Sequence, residues 1–277
     1  MMDERVAANR ARWDELADLH VETPMYQRAL ATLRAGGSTL RDLDHDEVGS
    51  VAGKRLLHLQ CHLGFETLSW ARAGAEVTGV DFSERSIAQA RRFAAELRVA
   101  ARFLVSDYEG LTTALAGEHF DIVYLSYGVL VWLPDLRPAF AAAASLLASG
   151  GALHVIDSHP LALLLDDERP WPAPDAPYLA MSYFSGTTPY RFEVAGTYAD
   201  RGATVQQTVT YQWVHSVQEV IDATVAAGLR VVHLHEFPFD FYQRLPAMTR
   251  DDRGWWRLPP PLDGRLPLLF ALKAVRN

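Results

Sequence analysis

The spacing of apolar positions changes period several times along this chain, and each change marks an element. Over residues 1–34, Val6, Trp13, Leu16 and Leu19 fall at helical intervals, with a break at Thr23 and Pro24 before a second helix to about Leu33. Gly36, Gly37 and Ser38 read as a loop, and the acidic stretch 42–47 before Gly53 reads as a solvated connection. Leu56, Leu57 and Leu59 then form a short apolar run suited to a buried parallel strand. The succession from there is strand 55–59, helix 66–72, strand 76–80, helix 84–98, strand 101–105, strand 120–125, helix 136–147 and strand 152–156. Alternation of this kind requires a parallel sheet with right-handed crossovers. Ser83 is placed to cap its helix, with Glu84 at the positive end of the dipole.

The pattern changes at 160–215 to proline, aromatic and β-branched residues. It includes WPAPDAPY at 171–178 and the alternating Thr204, Gln206, Thr208, Thr210 and Gln212 of an expected antiparallel strand. An insertion just past the fifth strand lies where a doubly wound sheet builds its ligand crevice, so it reads as a substrate-side cover. Ser216 and Glu219 form a capping box opening a helix over 217–227 that stops at Gly228. Apolar strands around 229–234 and 266–274 close the chain. The organisation expected is one domain, 1–277: a helical cap (1–50), a cofactor-binding core (51–159), the insertion (160–215) and a C-terminal helix with an antiparallel strand pair (216–277).

Composition narrows the partners. A net charge of −8 with pI near 5.7 and scattered arginines argues against nucleic acid, and 49% hydrophobic with 22% charged residues suits a globule with a sizeable core. No apolar run reaches membrane-spanning length and the start lacks a hydrophobic signal segment, so a cytoplasmic protein with no membrane partner is expected. The single cysteine, Cys61, reads as a packing residue. The best-spaced histidines are His58 with His62 and His233 with His235; without a CxxC or HExxH context, no metal is expected. Oligomeric state is not legible.

The richest chemistry lies between Leu56 and Ser83. Gly64 stands where strand turns into helix, and Asp81 follows seventeen positions later at a strand end, where a carboxylate can take both hydroxyls of a ribose. An adenosine derivative is expected. A dinucleotide would need several glycines beneath its pyrophosphate, whereas the turn is Gln60, Cys61, His62, Leu63, Gly64, which disfavours NAD or FAD.

These residues resemble the class I S-adenosylmethionine-dependent methyltransferases, and more narrowly a bacterial small-molecule subgroup with an LHLQCHxG turn. The resemblance also takes in the NRxxWD start (Asn9, Arg10, Trp13, Asp14), the VTGVDFS strand end, FDIVY at 120–124 and LPLLFALKA at 266–274. Relative to the wider superfamily, His58 stands at a position usually acidic, and Gln60 and His62 stand in place of glycines. The resemblance implies an α/β, Rossmann-like, doubly wound, mostly parallel seven-stranded sheet with an N-terminal helical cap and an antiparallel insertion. It implies S-adenosyl-L-methionine as cofactor and a small-molecule acceptor with an O, N or C nucleophile; the apolar insert suits a hydrophobic or aromatic one, as in secondary metabolism.

Under that resemblance, Gln60, His62 and the backbone at Gly64 hold the amino-acid part, Asp81 the ribose and Phe82 the adenine face. Asp107 and Tyr108 reach the adenine amino group and ring, Ser126 lines the methionine region, and Trp13 and Tyr26 close the pocket. Asp81 could instead cap a helix, Asp107 start a turn, and Trp13 anchor its helix. Tyr127 and Trp132 could cradle a sulfonium or an amine through their ring faces. His159, following the fifth strand, could act as general base with Asp157 orienting it. Two alternatives stand beside methyl transfer: another use of the sulfonium, such as cyclisation or other alkyl transfer, and an NAD(P)-dependent oxidoreductase, for which no Tyr-x-x-x-Lys pair is in place.

Overall fold

A computed structural model describes residues 3–166, 173 and 176–277. Trp171, Pro172, Pro174 and Asp175 of the WPAPDAPY segment lie outside the described residues. Helices α1 (Glu4–Glu22) and α2 (Pro24–Arg34) meet at Thr23, which ends the first and caps the second. The acidic stretch, expected as a solvated connection, is instead helix α3 (Asp42–Val48): Asp44 is fully buried and its carboxylate accepts from Tyr124 Oη at 2.7 Å. An acid aimed inward at a phenol is invisible to charge patterning, because the partner lies 80 residues away.

The core runs β1 (Arg55–Leu59), α4 (Phe65–Arg72), β2 (Glu76–Asp81), α5 (Glu84–Leu97), β3 (Arg102–Val105), α6 (Tyr108–Ala114), β4 (Phe120–Ser126), a 3-10 turn at Leu130–Trp132, α7 (Leu136–Ser145) and β5 (Leu147–Ser158). Helix α6 escaped the sequence reading; it is short and opens on Asp107, whose side chain caps it. The helix expected to reach 147 stops at Ser145 because β5 begins early. Beyond it follow α8 (Pro160–Leu163), β6 (Tyr190–Glu193), β7 (Val209–Gln212), α9 (Val217–Ala226), β8 (Arg230–Phe237), β9 (Thr249–Arg250), β10 (Trp256–Arg257) and β11 (Leu269–Val275). The capping box of Ser216 and Glu219 forms as expected.

Seven strands make one sheet in the order β3-β2-β1-β4-β5-β11-β8, parallel except for the antiparallel pairing of β11 with β5 and β8. The fold class is thus the expected α/β, mostly parallel seven-stranded sheet. One face packs on α6, α7 and α9 through Leu57, Val123, Leu125, Phe140, Leu153 and Phe270. The other face meets α3 and α4 through Leu56, Trp70, Tyr124, Ile156 and Ala271. The chain reverses its direction of sheet growth between β1 and β4, which opens a crevice at the carboxyl ends of those strands. Among the described residues no helix is long and apolar enough to cross a membrane.

The insertion pairs β6 with β7, and α1 binds that hairpin through side chains. Asn9 exchanges two hydrogen bonds with the backbone of Tyr211. Arg12, buried, donates to the carbonyls of Val194 (3.0 Å), Gln207 (2.5 Å) and Gly196 (2.6 Å), while Glu15 accepts from the amides of Gln206 and Gln207 at 2.7 Å each. The alternating stretch therefore enters the β7 strand only at Val209: the backbone groups of 206 and 207 are already committed to α1. Replacing Arg12 with Ala strips three carbonyls of a charged donor and is expected to cost about 3 kcal/mol. Denaturant unfolding reads that loss, and limited proteolysis should cut within 194–207 faster than in the parent; unchanged proteolysis would show the hairpin held by other means.

Candidate active site

The turn from β1 into α4 is built from three left-handed residues, Gln60 (φ 55°), His62 (φ 48°) and Gly64 (φ 74°). Gln60 and His62 hold a conformation that costs side-chain-bearing residues about 1 kcal/mol or more each, a strain that concentrates at functional sites. Gly64 is required here for packing as well as for its dihedral, since a Cβ would sit 2.7 Å from Phe103 and 3.0 Å from Ala90. The Asp81 carboxylate holds the turn in place: Oδ2 accepts from the His62 amide and Oδ1 from the Ser83 amide, both at 2.9 Å. Burial pushes its pKa up to about 6, with the backbone amides of Ser83, His62 and Phe82 opposing the rise and Asp14 adding to it. Each oxygen keeps a second lone pair.

Across the crevice, the Gln60 amide bridges two further strand ends. Tyr108 Oη donates to its Oε1 at 2.9 Å, and its Nε2 donates to the Val129 carbonyl at 3.1 Å. Asp107 caps α6, its Oδ1 accepting from Gly110 N at 2.8 Å, which is the turn role the sequence left open. Phe82 is half-buried beside Asp81, and Ser126 ends β4 buried. Tyr127 (φ 56°) follows with its ring 5.0 Å from Phe241 and the Arg41 guanidinium 5.8 Å away. Trp132 packs edge-on against Trp13 at 5.3 Å, so Tyr127 and Trp132 each have their own ring partners.

The helical cap closes over the turn. Asp14 accepts from Ser83 Oγ at 2.7 Å and from the Arg85 amide at 3.2 Å, docking α1 on the start of α5. Trp13 lies 5.1 Å from His62, and Tyr26 stacks on His20 at 4.9 Å with its hydroxyl on Tyr198 of the insertion. His20 Nδ1 meets His62 Nε2 at 3.0 Å, and His62 Nδ1 meets Ser86 Oγ at 3.1 Å. Burial pulls His20 down to about 3, so this imidazole pair is neutral. His20 was missed by the sequence reading, yet it falls seven residues after Trp13 on the same face of α1, with Leu16 and Ala17 between.

His159 and Asp157 do not form the expected pair. The Asp157 carboxylate accepts from the amides of Gly128, Val129 (3.1 Å), Leu130 (2.8 Å) and Ser158 (2.6 Å), organising the segment after β4. His159 caps α8 through Nδ1, which accepts from Leu161 N at 3.1 Å, and its Nε2 lies 2.8 Å from Glu236 Oε1. Burial lowers its pKa while Glu236 opposes that shift. Beside it, buried Arg244 links Asp240 (2.9 Å) to Ser158 Oγ (2.7 Å). Glu236 carried no sequence signal because His159 lies far along the chain; Arg244 was missed although Asp240 stands four residues before it, since its other partner, Ser158, is 86 residues away.

Glu66, on the first turn of α4, was also missed. Burial pushes its pKa up to about 7, partly offset by its own backbone hydrogen bond; the Asp44 carboxylate adds to the rise and Arg41 opposes it. An acid that titrates near neutrality beside Tyr26, Tyr127 and Tyr198 can accept a hydrogen bond or a proton, or face a cation.

The residues gathered here fit an adenosyl sulfonium: a strand-end carboxylate with spare lone pairs, and aromatic faces with a carboxyl beyond it. The comparisons agree with this fold. Residues 56–151 match a family model described as a methyltransferase domain. The ubiquinone biosynthesis O-methyltransferase of Bordetella avium is 30% identical over 152 residues, covering 53% of this chain and 56% of the relative. That of Pseudomonas aeruginosa is 32% identical over 121 residues, covering 43% and 51%. The chain spans about half the length of the curated relatives it matches. Among solved structures, an S-adenosylmethionine-dependent methyltransferase from Mesorhizobium loti superposes with TM-score 0.58 at 20% identity, covering 84% of this chain and 95% of that one. The CcbJ methyltransferase from Streptomyces caelestis superposes with TM-score 0.57 at 16% identity over the whole of both chains. These superpositions establish the shared fold.

A pH prediction follows from Glu66. Its folded pKa is raised from 4.5 to about 7, so the neutral acid is the favoured form and its stabilisation is lost as pH rises through 7. Glu66→Gln mimics the neutral acid. The variant should melt several degrees above the parent at pH 8.5, with the gap closing by pH 4.5; a gap independent of pH would place the carboxylate in water.

Proposed function

We propose that this protein is an S-adenosylmethionine-dependent methyltransferase acting on an oxygen, nitrogen or carbon nucleophile of a small metabolite. The observation that carries the reading is the Asp81 carboxylate, fixed between the first two strand-to-helix turns of the sheet, within the stretch 56–151 that matches a methyltransferase-domain model. Asp81 holds the ribose hydroxyls on its remaining lone pairs. Phe82, Asp107 and Tyr108 flank the adenine, and Gln60, His62, the Gly64 backbone and Ser126 hold the amino-acid end. Trp13 and Tyr26 cover the whole. The names of the curated relatives favour oxygen as nucleophile, and the aromatic walls favour an apolar or aromatic acceptor, as met in secondary metabolism.

S-adenosylmethionine supplies a methyl group on a sulfonium, which leaves as a neutral thioether without a proton. The protein's work is therefore alignment and exclusion of water, effects that supply up to about 7–11 kcal/mol in well-oriented systems. Trp13, Trp132 and Tyr127 offer ring faces to positive charge, worth about 0.5–2 kcal/mol each. Asp157 fixes the backbone of 128–130 on which Tyr127 and Trp132 are set. For an acceptor that must lose a proton, His159 and Glu236 act as a pair in which the Glu236 carboxylate takes the proton and His159, whose Nδ1 already accepts from the Leu161 amide, orients that carboxylate through Nε2.

Asp81→Asn keeps an acceptor for the turn but removes the charge. It should weaken S-adenosylhomocysteine binding about tenfold to a hundredfold by calorimetry. Equal affinity, or NAD bound in preference to the thioether, would overturn the cofactor assignment. Formation of S-adenosylhomocysteine rather than methylthioadenosine distinguishes methyl transfer from other uses of the sulfonium.

His159→Asn retains a helix-capping side chain while deleting the imidazole. Turnover should fall at least tenfold with thioether affinity intact. Unchanged turnover would leave His159 with the cap alone.

A further inference from the structure

Outside the crevice, the fold assembles a second cluster of coordinating side chains. His233 and His235 lie two apart on β8, the edge strand, and so project from the same face. Their rings stack at 4.1 Å with only 8° between planes. Opposite them stands Glu47, one turn beyond the buried Asp44 on the same side of α3. Its carboxylate spans both imidazoles, with Oε2 at 3.1 Å from His233 Nε2 and Oε1 at 2.9 Å from His235 Nδ1.

We propose that Glu47, His233 and His235 form a binding site for one divalent transition-metal ion of the zinc class. Two imidazole nitrogens and a carboxylate oxygen are the donor set that such ions favour. The three donor atoms lie within 4.8 Å of one another. Tetrahedral ligation at about 2.0–2.2 Å sets donor atoms roughly 3.4 Å apart. The two oxygen-to-nitrogen distances already approach that spacing, and small ring rotations bring in the rest.

Charge supports the assignment. Among the described residues Glu47 forms ion pairs with these two histidines alone, and its side chain is only 10% exposed. Lys273 lies across from His233 on β11, yet no ion pair joins it to Glu47. With both imidazoles neutral the cluster carries one negative charge, which attracts a divalent cation to the shared donor atoms. His235 is half-exposed, which leaves a coordination position open to water. Such an ion would clamp α3, carrying Arg41 and Asp44 near Tyr127 and Tyr124, to the sheet edge. None of this depends on the methyl-transfer reading.

The test uses the full chain with its affinity tag removed and metal stripped by chelator. Titration with zinc chloride by calorimetry should show one ion per chain with affinity in the micromolar range or tighter, while magnesium shows none. Glu47→Gln and His235→Ala should each weaken zinc binding at least tenfold, and saturating zinc should raise the melting temperature of the parent by several degrees. The exposed position of His235 keeps that variant folded, as circular dichroism would confirm. No zinc binding by the parent, or affinity unchanged in both variants, would overturn the site.

Discussion

The carboxylate of Asp81 is the constraint around which the crevice is arranged. It is buried at the end of β2 and accepts the amides of His62 and Ser83, so one side chain holds two strand-to-helix turns together. The left-handed dihedrals at Gln60 and His62 persist because that carboxylate, the Cys61 amide on Val80 and the packing of Gly64 on Phe103 over-determine the turn. A carboxylate buried in this way costs free energy when ionised, a cost that its amide donors partly offset.

A second layer of order comes from α1. Its side chains satisfy backbone groups on both neighbours: Asp14 at the start of α5, and Asn9, Arg12 and Glu15 along the insertion. The N-terminal cap and the hairpin are thereby one cover, and the rings of Trp13, Tyr26, Tyr198 and Trp132 line its underside. The Asn9, Arg12 and Asp14 positions are structural fasteners, whereas Trp13 points to the crevice.

Local physics explains which parts were legible. Strands β1, β2 and β4 are short apolar runs bounded by turn residues, and helices such as α5 and α9 announce themselves by Ser caps. Helix α6 and the true end of α7 were not, because seven residues give too little periodicity and β5 begins inside an apparently helical run. The inward turn of Asp44 was hidden for a different reason: a phenol on a distant strand makes burial of an acid tolerable, and charge alone says solvent.

By itself the sequence determined the succession of the core strands with most of their crossover helices, the parallel sheet, and the pairing of a glycine-bearing turn with a strand-end acid. All of these rest on spacing within a few dozen residues, the range over which backbone periodicity and turn chemistry act. Only the tertiary structure decided which side chains meet: Glu236 rather than Asp157 beside His159, His20 on His62, Glu66 among tyrosines, and Glu47 over two histidines. Each joins elements whose proximity is set by the packing of helices on the sheet, and the cost of burying a polar group, which fixes its partner, exists only once that packing has excluded water.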